Sequence, residues 1–134
     1  MTTEDFVSPG MREQLDAPSF QGLATFGMQP FVADAKDLDT IKPDIGVVGA
    51  PWDSSTTNRP GARFGPRALR ANAYDPGTYH LDLGIEIFDH LNVVDFGDAI
   101  VSHGQWDKSK ASIYERVSAL TTRGIVPVIL GGDH

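Results

Sequence analysis

The residues best suited to chemistry follow the last apolar run of the sequence, PVILGGDH. The paired glycines permit a sharp turn with positive φ and leave room beside the end of a strand, so that Asp133 and His134 are presented at its rim. A neutral imidazole is a common metal ligand, and a neighbouring carboxylate can orient it. One histidine and one aspartate cannot complete a metal site. On spacing alone, a metal ligand and an exposed loop histidine are therefore equally compatible with this motif.

A second group of carboxylates follows another apolar run, in VVDFGDA. Asp95 and Asp98 are metal ligands, helix caps or turn formers, and the last two roles are commoner for carboxylates just past a strand. The remaining histidines lack the H-x-H or i, i+4 spacing of a metal site. They are interpreted as surface or loop residues: His80, His90 and His103.

The longest polar segment, DSSTTNRPGARFGPRALR, follows the first apolar run. It lacks the G-x-x-x-x-G-K-[ST] pattern of a phosphate-binding loop and the third glycine of a dinucleotide fingerprint. Its hydroxyls and four arginines predict a loop that shapes a substrate mouth. The alternative is a structural loop whose arginines pair with nearby aspartates.

These segments need a sheet to position them. Three short runs rich in Val and Ile, at residues 44–51, 92–98 and 125–132, are typical of strands covered on both faces, as in parallel sheets. Helical patterns lie between them: one with Pro66 in its first turn, the other from Asp107, as N-cap, to Gly124. A short extra strand is predicted around residues 81–87. The class is therefore α/β, with a ligand site at the carboxyl ends of the strands.

We interpret residues 1–40 as an N-terminal arm and residues 41–134 as the N-terminal part of an α/β domain. The arm contains three prolines and several large apolar residues, too many for a free linker. We expect it to pack on the body of the protein or on a neighbouring subunit.

Composition narrows the class of protein. With no cysteine, any metal must be held by His, Asp or Glu, and an oxidising compartment is not indicated. A net charge of −7 with scattered basic residues argues against nucleic-acid or anionic-membrane partners. The N-terminus lacks the apolar region of a signal peptide, and no run could span a bilayer. These features predict a cytoplasmic protein.

Three motifs together resemble the ureohydrolase superfamily, which contains arginase and agmatinase. GVVGAPWDSSTTNRPGARFGPRALR is similar to the pattern of the agmatinase branch, and VVDFGDA and PVILGGDH follow in the expected order. The resemblance covers roughly residues 20–134, the N-terminal portion of such a protein. It implies a three-layer α/β fold around a central parallel sheet, and an oligomer, commonly a trimer or hexamer.

The resemblance also implies a reaction. Family members hold two divalent metal ions, usually Mn²⁺ and in some members Ni²⁺. A metal-bridging hydroxide attacks the guanidino carbon of a small molecule and releases urea and an amine. His134 matches the first ligand of one metal, and Asp133 matches the acidic residue that supports it. The family's other ligands and its acid–base histidine lie in later segments, so no residue here is assigned a catalytic role, and the 134-residue chain alone is expected to be inactive.

Substrate choice is left open by the same comparison. Ser55 stands where the family often has glycine, and Asn58 stands where it often has an aromatic or other residue. Together with Asp53 and Arg59, these residues are expected to line the substrate mouth. The main expectation is agmatinase-like activity. The alternatives are guanidinobutyrate, guanidinopropionate, guanidine or a biguanide as substrate, or a non-catalytic partner chain of an intact ureohydrolase.

Overall fold

A three-stranded parallel sheet organises the chain in a computed structural model, which describes residues 22–72 and 79–133. In chain order the elements are α1 (Asp37–Ile41), β1 (Ile45–Ala50), α2 (Gly65–Asn72), β2 (Tyr79–His80), β3 (Ile85–Glu86), β4 (Val93–Asp98), α3 (Trp106–Thr121) and β5 (Val126–Gly131). Single 3₁₀ turns lie at Phe26–Met28, Ala62–Phe64 and Ile87–Asp89. The sheet order is β4-β1-β5, all parallel, which confirms the predicted α/β class and its three strands.

The two strand pairings differ in regularity. β1 and β5 pair without interruption from Ile45 opposite Val126 to the ends of both strands. β1 and β4 pair regularly up to Val47 opposite Asp95, but then Gly49 lies opposite Asp98. β4 therefore contains one extra residue, a bulge, at the point where Gly97 has a φ of +73°.

The larger part of the core lies between the sheet and α3. It contains the buried residues Val32, Leu38, Val48, Val94, Phe96, Leu120 and Ile125. Leu120 is completely buried, which contributes roughly 1.5–3 kcal/mol to folding. Gly46 makes this packing possible, because a Cβ there would lie closer than 3.0 Å to the Leu120 methyl groups. A smaller cluster on the opposite face joins Val47, Val93 and Leu130.

The side chains of β5 are more exposed to solvent than predicted. β1 and β4 are buried as expected, whereas Val126, Val128 and Ile129 of β5 are between 38% and 58% exposed. β5 is an edge strand within the described part of the chain, so fewer elements pack against it. The prediction that all three strands are covered on both faces was therefore wrong for β5.

The N-terminal end of α3 also differs from the prediction. The helix begins at Trp106 with Gln105 as N-cap, so Asp107 lies inside the first turn and is not the cap. The hydroxyl of buried Ser109 accepts from Ser102 N (3.0 Å), and its one proton is shared between the Gln105 and Ser102 carbonyl oxygens, which lie 2.9 and 3.1 Å from it; these contacts fix this end of the helix. Asp107 still places negative charge near the helix N-terminus, where the helix dipole favours it.

Within residues 22–40 of the predicted arm, the stretch from Pro30 to Val32 lies along β4. Val32 N donates to Asp95 O (2.8 Å), and Asp95 N donates to Pro30 O (2.9 Å), so this segment pairs with the outer edge of β4. Residues 1–21 lie outside the described residues. The extra strand expected around residues 81–87 is present as β3, which pairs with β2 in a short antiparallel hairpin. Across the described ranges, no helix has the length and apolar character needed to cross a membrane.

Candidate functional site

The GGDH segment leaves β5 in direct contact with the segment that leaves β1. Gly132 N donates to Ala50 O (3.2 Å), and Asp133 N donates to Trp52 O (2.5 Å). A Cβ at Gly132 would lie closer than 3.0 Å to three backbone atoms of Trp52. The glycine is thus needed for close approach. Neither Gly131 nor Gly132 adopts the positive φ that paired glycines permit.

His134, the predicted metal ligand, lies outside the described residues. Asp133 is exposed at the end of β5. The segments that follow β1 and β5 meet at this edge of the sheet, as the parallel arrangement requires. The donor chemistry of the GGDH segment, a carboxylate next to an imidazole in a chain without thiols, fits Mn²⁺ or Ni²⁺. Within residues 22–72 and 79–133, no group of three or more potential ligands is arranged to hold a metal.

Asp53 holds together the loop that follows β1. Its side chain is buried, and it accepts hydrogen bonds from Gly61 N (2.7 Å), Arg63 N (3.0 Å) and the Arg63 Nε atom. Gly61 has a φ of +136°, a conformation that favours glycine. A Cβ at Gly65 would lie 2.8 Å from the Gly131 carbonyl oxygen. The glycines of R-P-G-A-R-F-G-P therefore fold the loop back onto Asp53 and onto the end of β5.

The charge of Asp53 is stabilised by these contacts. Burial acts to raise the pKa of its carboxyl, but hydrogen bonds from the Arg63 and Gly61 backbone and from the Arg63 guanidinium outweigh burial. The pKa of Asp53 is consequently lowered from its ordinary value. The carboxylate is thus ionised at neutral pH.

The other residues predicted at the substrate mouth lie on the outer part of this loop. Ser55, Asn58 and Arg59 are all exposed. Their assignment to the substrate mouth stays a prediction.

A cavity of about 340 Å³ opens between the segments that leave β1 and β4. Its polar lining comes from Asp53, Ser54, Arg63, Asp98 and His103. The cavity therefore lies at the edge of the sheet where the sequence predicted a ligand site.

His103 lies in this cavity, although the sequence indicated no role for it in a site. It is exposed, as expected of a loop histidine, but its Nδ1 atom lies 3.3 Å from Ser54 Oγ and 3.1 Å from Arg63 Nη1. These partners are 49 and 40 residues away along the chain. No local spacing could reveal the contact. The only signal was that both segments follow predicted strands.

A second polar cluster joins α2 to β4. Arg70 donates to both oxygens of Asp95 (2.7 and 3.0 Å) and to Asp98 Oδ1 (2.5 Å). Burial acts to lower the pKa of Arg70, but the hydrogen bonds and charges of the two aspartates raise it overall. Asp95 also accepts from Phe26 N (2.8 Å) and Gly97 N (2.9 Å). The carboxylates of DFGDA are therefore ion-pair partners, and Asp95 also stabilises a turn.

The same contacts decide between the two interpretations of the arginine-rich loop for individual residues. Arg63 pairs with Asp53, and Arg70 pairs with Asp95 and Asp98, so both make the ion pairs that the structural alternative predicts. Arg59 and Arg67 are exposed.

Comparison with known proteins gives a consistent result. Residues 43–134 match the sequence model of the Arginase family. The chain is similar to guanidinobutyrase from Pseudomonas aeruginosa (36% identity over 119 residues, 89% of this chain and 37% of the relative). It is also similar to mitochondrial agmatinase from Gallus gallus (42% identity over 91 residues, 68% of this chain and 27% of the relative).

The fold agrees with that result. The crystal structure of a hypothetical agmatinase from Burkholderia thailandensis superposes with a TM-score of 0.75 at 30% identity, over 87% of this chain and 36% of that chain. The chain spans about a third of the length of the relatives that it matches.

Proposed function

The chain belongs to the arginase family, and from that premise we propose that the protein carrying it hydrolyses the guanidino C–N bond of a small molecule, releasing urea and an amine. The observation that carries this proposal is the junction between the ends of β1 and β5. There, hydrogen bonds from Gly132 and Asp133 to Ala50 and Trp52 bring the GGDH segment beside the loop held by Asp53. Two of the three motifs of the resemblance thus meet at one edge of the sheet.

The proposal includes two divalent metal ions, Mn²⁺ first and Ni²⁺ as the alternative. His134 would be one metal ligand, and Asp133 would support it. When bound, two such cations would lower the pKa of water and stabilise the developing negative charge. The remaining ligands would come from residues outside the described ranges, since those ranges contain no group of three.

The chain's own residues would shape the access to this centre. Asp53 and Arg63 fix the loop after β1, and Ser55, Asn58 and Arg59 on its outer part would contact substrate at the mouth. Agmatine is the first candidate substrate. Guanidinobutyrate, guanidinopropionate, guanidine and a biguanide are the alternatives. A cytoplasmic homo-oligomer, trimer or hexamer, is part of the same proposal and rests on the family resemblance.

The test is urea release by the protein that carries this sequence, with intact mass and metal content measured on the same sample. We expect close to two Mn or Ni ions per chain and urea from at least one guanidino compound. His134→Ala should lower metal content and reduce urea release by at least about 100-fold. The matched control is His90→Ala, an exposed histidine at the end of a 3₁₀ turn, which should change neither.

Protein that releases no urea from any guanidino compound, even after incubation with Mn²⁺ or Ni²⁺, would overturn the proposal. The remaining candidate would then be the non-catalytic partner of an intact ureohydrolase. That candidate predicts capture of such a subunit and a metal content near zero.

A further inference from the structure

We propose that Ser54, Arg63 and His103 form a subsite for a carboxylate, so that the preferred substrate is a guanidino acid. The inference rests on the proposed function for the guanidinium end of the molecule. The carboxylate end is assigned from the cavity between the segments that leave β1 and β4.

The acceptors of this cavity are already engaged. Both oxygens of Asp53 accept hydrogen bonds from the backbone and side chain of its own loop. Asp98 accepts from the guanidinium of Arg70 at 2.5 Å, which compensates its charge. A ligand with a positively charged ammonium end would find both carboxylates of the cavity paired with arginines.

The cavity still has hydrogen-bond donors without a partner among the described residues. A guanidinium only donates, so the 3.1 Å contact from Arg63 Nη1 makes His103 Nδ1 the acceptor and places the ring proton of the neutral imidazole on Nε2. The hydroxyl of Ser54 lies 3.3 Å from the same Nδ1 atom, to which it can only donate its one proton, so Ser54 helps to orient the ring. The Nε2–H group of His103 and the Nη2 group of Arg63 make no hydrogen bond to the described residues. Arg63 is also about one-third exposed. Two donor groups at one cavity suit a carboxylate, whose two oxygens accept charge-assisted hydrogen bonds.

The shape and position of the cavity suit a linear guanidino acid. Apolar side chains supply a wall for methylene groups: Pro51, Phe64, Ala99 and Val101. Asp53 lies one residue after Trp52, whose carbonyl oxygen accepts from Asp133 N. The carboxylate subsite is thus next to the GGDH segment, and a guanidino group at the other end of the same molecule would extend toward it.

The experiment compares guanidinobutyrate with agmatine, which carries an ammonium group in place of the carboxylate. Both kcat/KM from urea release and affinity from calorimetry are measured on the whole protein. We expect tighter binding and higher kcat/KM for guanidinobutyrate. His103→Ala should weaken guanidinobutyrate binding and raise its KM by roughly 10-fold or more, with agmatine changed by less than about 2-fold.

Two further variants separate a binding role from a structural one. His103→Gln keeps an N–H donor and should recover much of the affinity for guanidinobutyrate. His90→Ala, the exposed control histidine, should leave both ligands unchanged. Circular dichroism and the thermal midpoint of His103→Ala should match those of the unmodified protein, because His103 is exposed.

Equal affinity for the two ligands, or an equal loss for both in His103→Ala, would overturn the inference. The calorimetric comparison does not need turnover. If no guanidino compound yields urea, the proposed function fails, while the affinity of the cavity for guanidinobutyrate over agmatine still decides the carboxylate subsite.

Discussion

β4 and β5 flank the same central strand and have similar apolar sequences, yet their environments differ. The first four residues of β4 are no more than 6% exposed, and Phe96 is completely buried. In β5, Ile129 is 50% exposed and Val126 is 58% exposed. An apolar, β-branched run thus predicts a strand well, but coverage depends on which distant segment packs over it.

For β4 that segment is the residues that precede α1. Hydrogen bonds join Pro30 and Val32 to the backbone of Asp95, and Arg116 from α3 donates to the Phe96 and Ala33 carbonyl oxygens. The guanidinium of Arg116 also stacks over the Phe96 ring at 3.5 Å. β4 is therefore held through side chains and backbone together, whereas the described contacts of β5 are mainly backbone pairing with β1.

The largest loss of stability is expected from a substitution in β4, whose Phe96 side chain is buried in the core between the sheet and α3. Phe96→Ala should lower the free energy of unfolding by about 3–5 kcal/mol, because it leaves a cavity between the sheet and α3. Urea denaturation of the chain measures this loss. A loss below about 1 kcal/mol would contradict the assignment of Phe96 to the core.

The next effect tests whether the end of β5 is fixed by its backbone. Gly132→Ala should destabilise the chain by about 1–3 kcal/mol, since the new methyl group would collide with the Trp52 backbone. Gly131→Ala is the matched control, because a Cβ there meets nothing within 4 Å. Equal stability of the two variants would show that the β1–β5 junction is looser than its hydrogen bonds indicate.

The pH dependence of stability tests the role of Asp53 in the loop that follows β1. Folding lowers the pKa of Asp53, so its carboxylate stabilises the fold above the ordinary value of 3.8. This contribution is lost as the pH falls from 3.8 through the lower pKa of the folded state. Asp53→Asn should therefore be less stable than the unmodified chain at pH 7, and the difference should shrink below pH 3.8.

Urea midpoints measured from pH 7 to pH 3 provide that comparison. The exposed carboxylate of Asp82, in the turn between β2 and β3, serves as the control through Asp82→Asn. A difference for Asp53→Asn that grew as the pH fell would contradict the assigned role of its hydrogen bonds.

The smallest effect is expected on the exposed side of β5. Ile129→Ala should change the free energy of unfolding by less than about 0.5 kcal/mol, because half of the side chain is already in water. The same urea experiment serves here. A loss above about 2 kcal/mol would show that β5 is covered in solution, and the contrast with β4 would then be withdrawn.

Much of this fold was predictable because its signals are local. The three apolar runs identified β1, β4 and β5 to within one residue at each end, and Pro66 indicated the start of α2. The paired glycines correctly predicted close approach at Gly132. The positive φ that paired glycines permit is adopted by neither of them, and the junction with Trp52 needs the absence of a side chain at Gly132.

The rest depends on contacts that no local pattern contains. In the cluster of Ser54, Arg63 and His103, the contacts join residues that are 49 and 40 positions apart along the chain. The hydrogen bonds to Asp53 require the loop to fold back on itself. The N-cap of α3 was misplaced because Ser109 fixes that end from inside the helix. Gly97 inside an apolar strand is a sequence signal of a bulge, and the prediction did not include that bulge.

That bulge fixes the spacing of the DFGD motif. In an unbroken strand, residues three apart point to opposite faces of the sheet. The extra residue at Gly97 shifts this alternation by one, so Asp95 and Asp98 both reach Arg70. A β4 strand that kept all of its residues but lost the bulge would retain both carboxylates and the arginine, yet it would turn Asp98 to the other face. The backbone conformation at Gly97, with its φ of +73°, is therefore as important to this cluster as the two carboxylates.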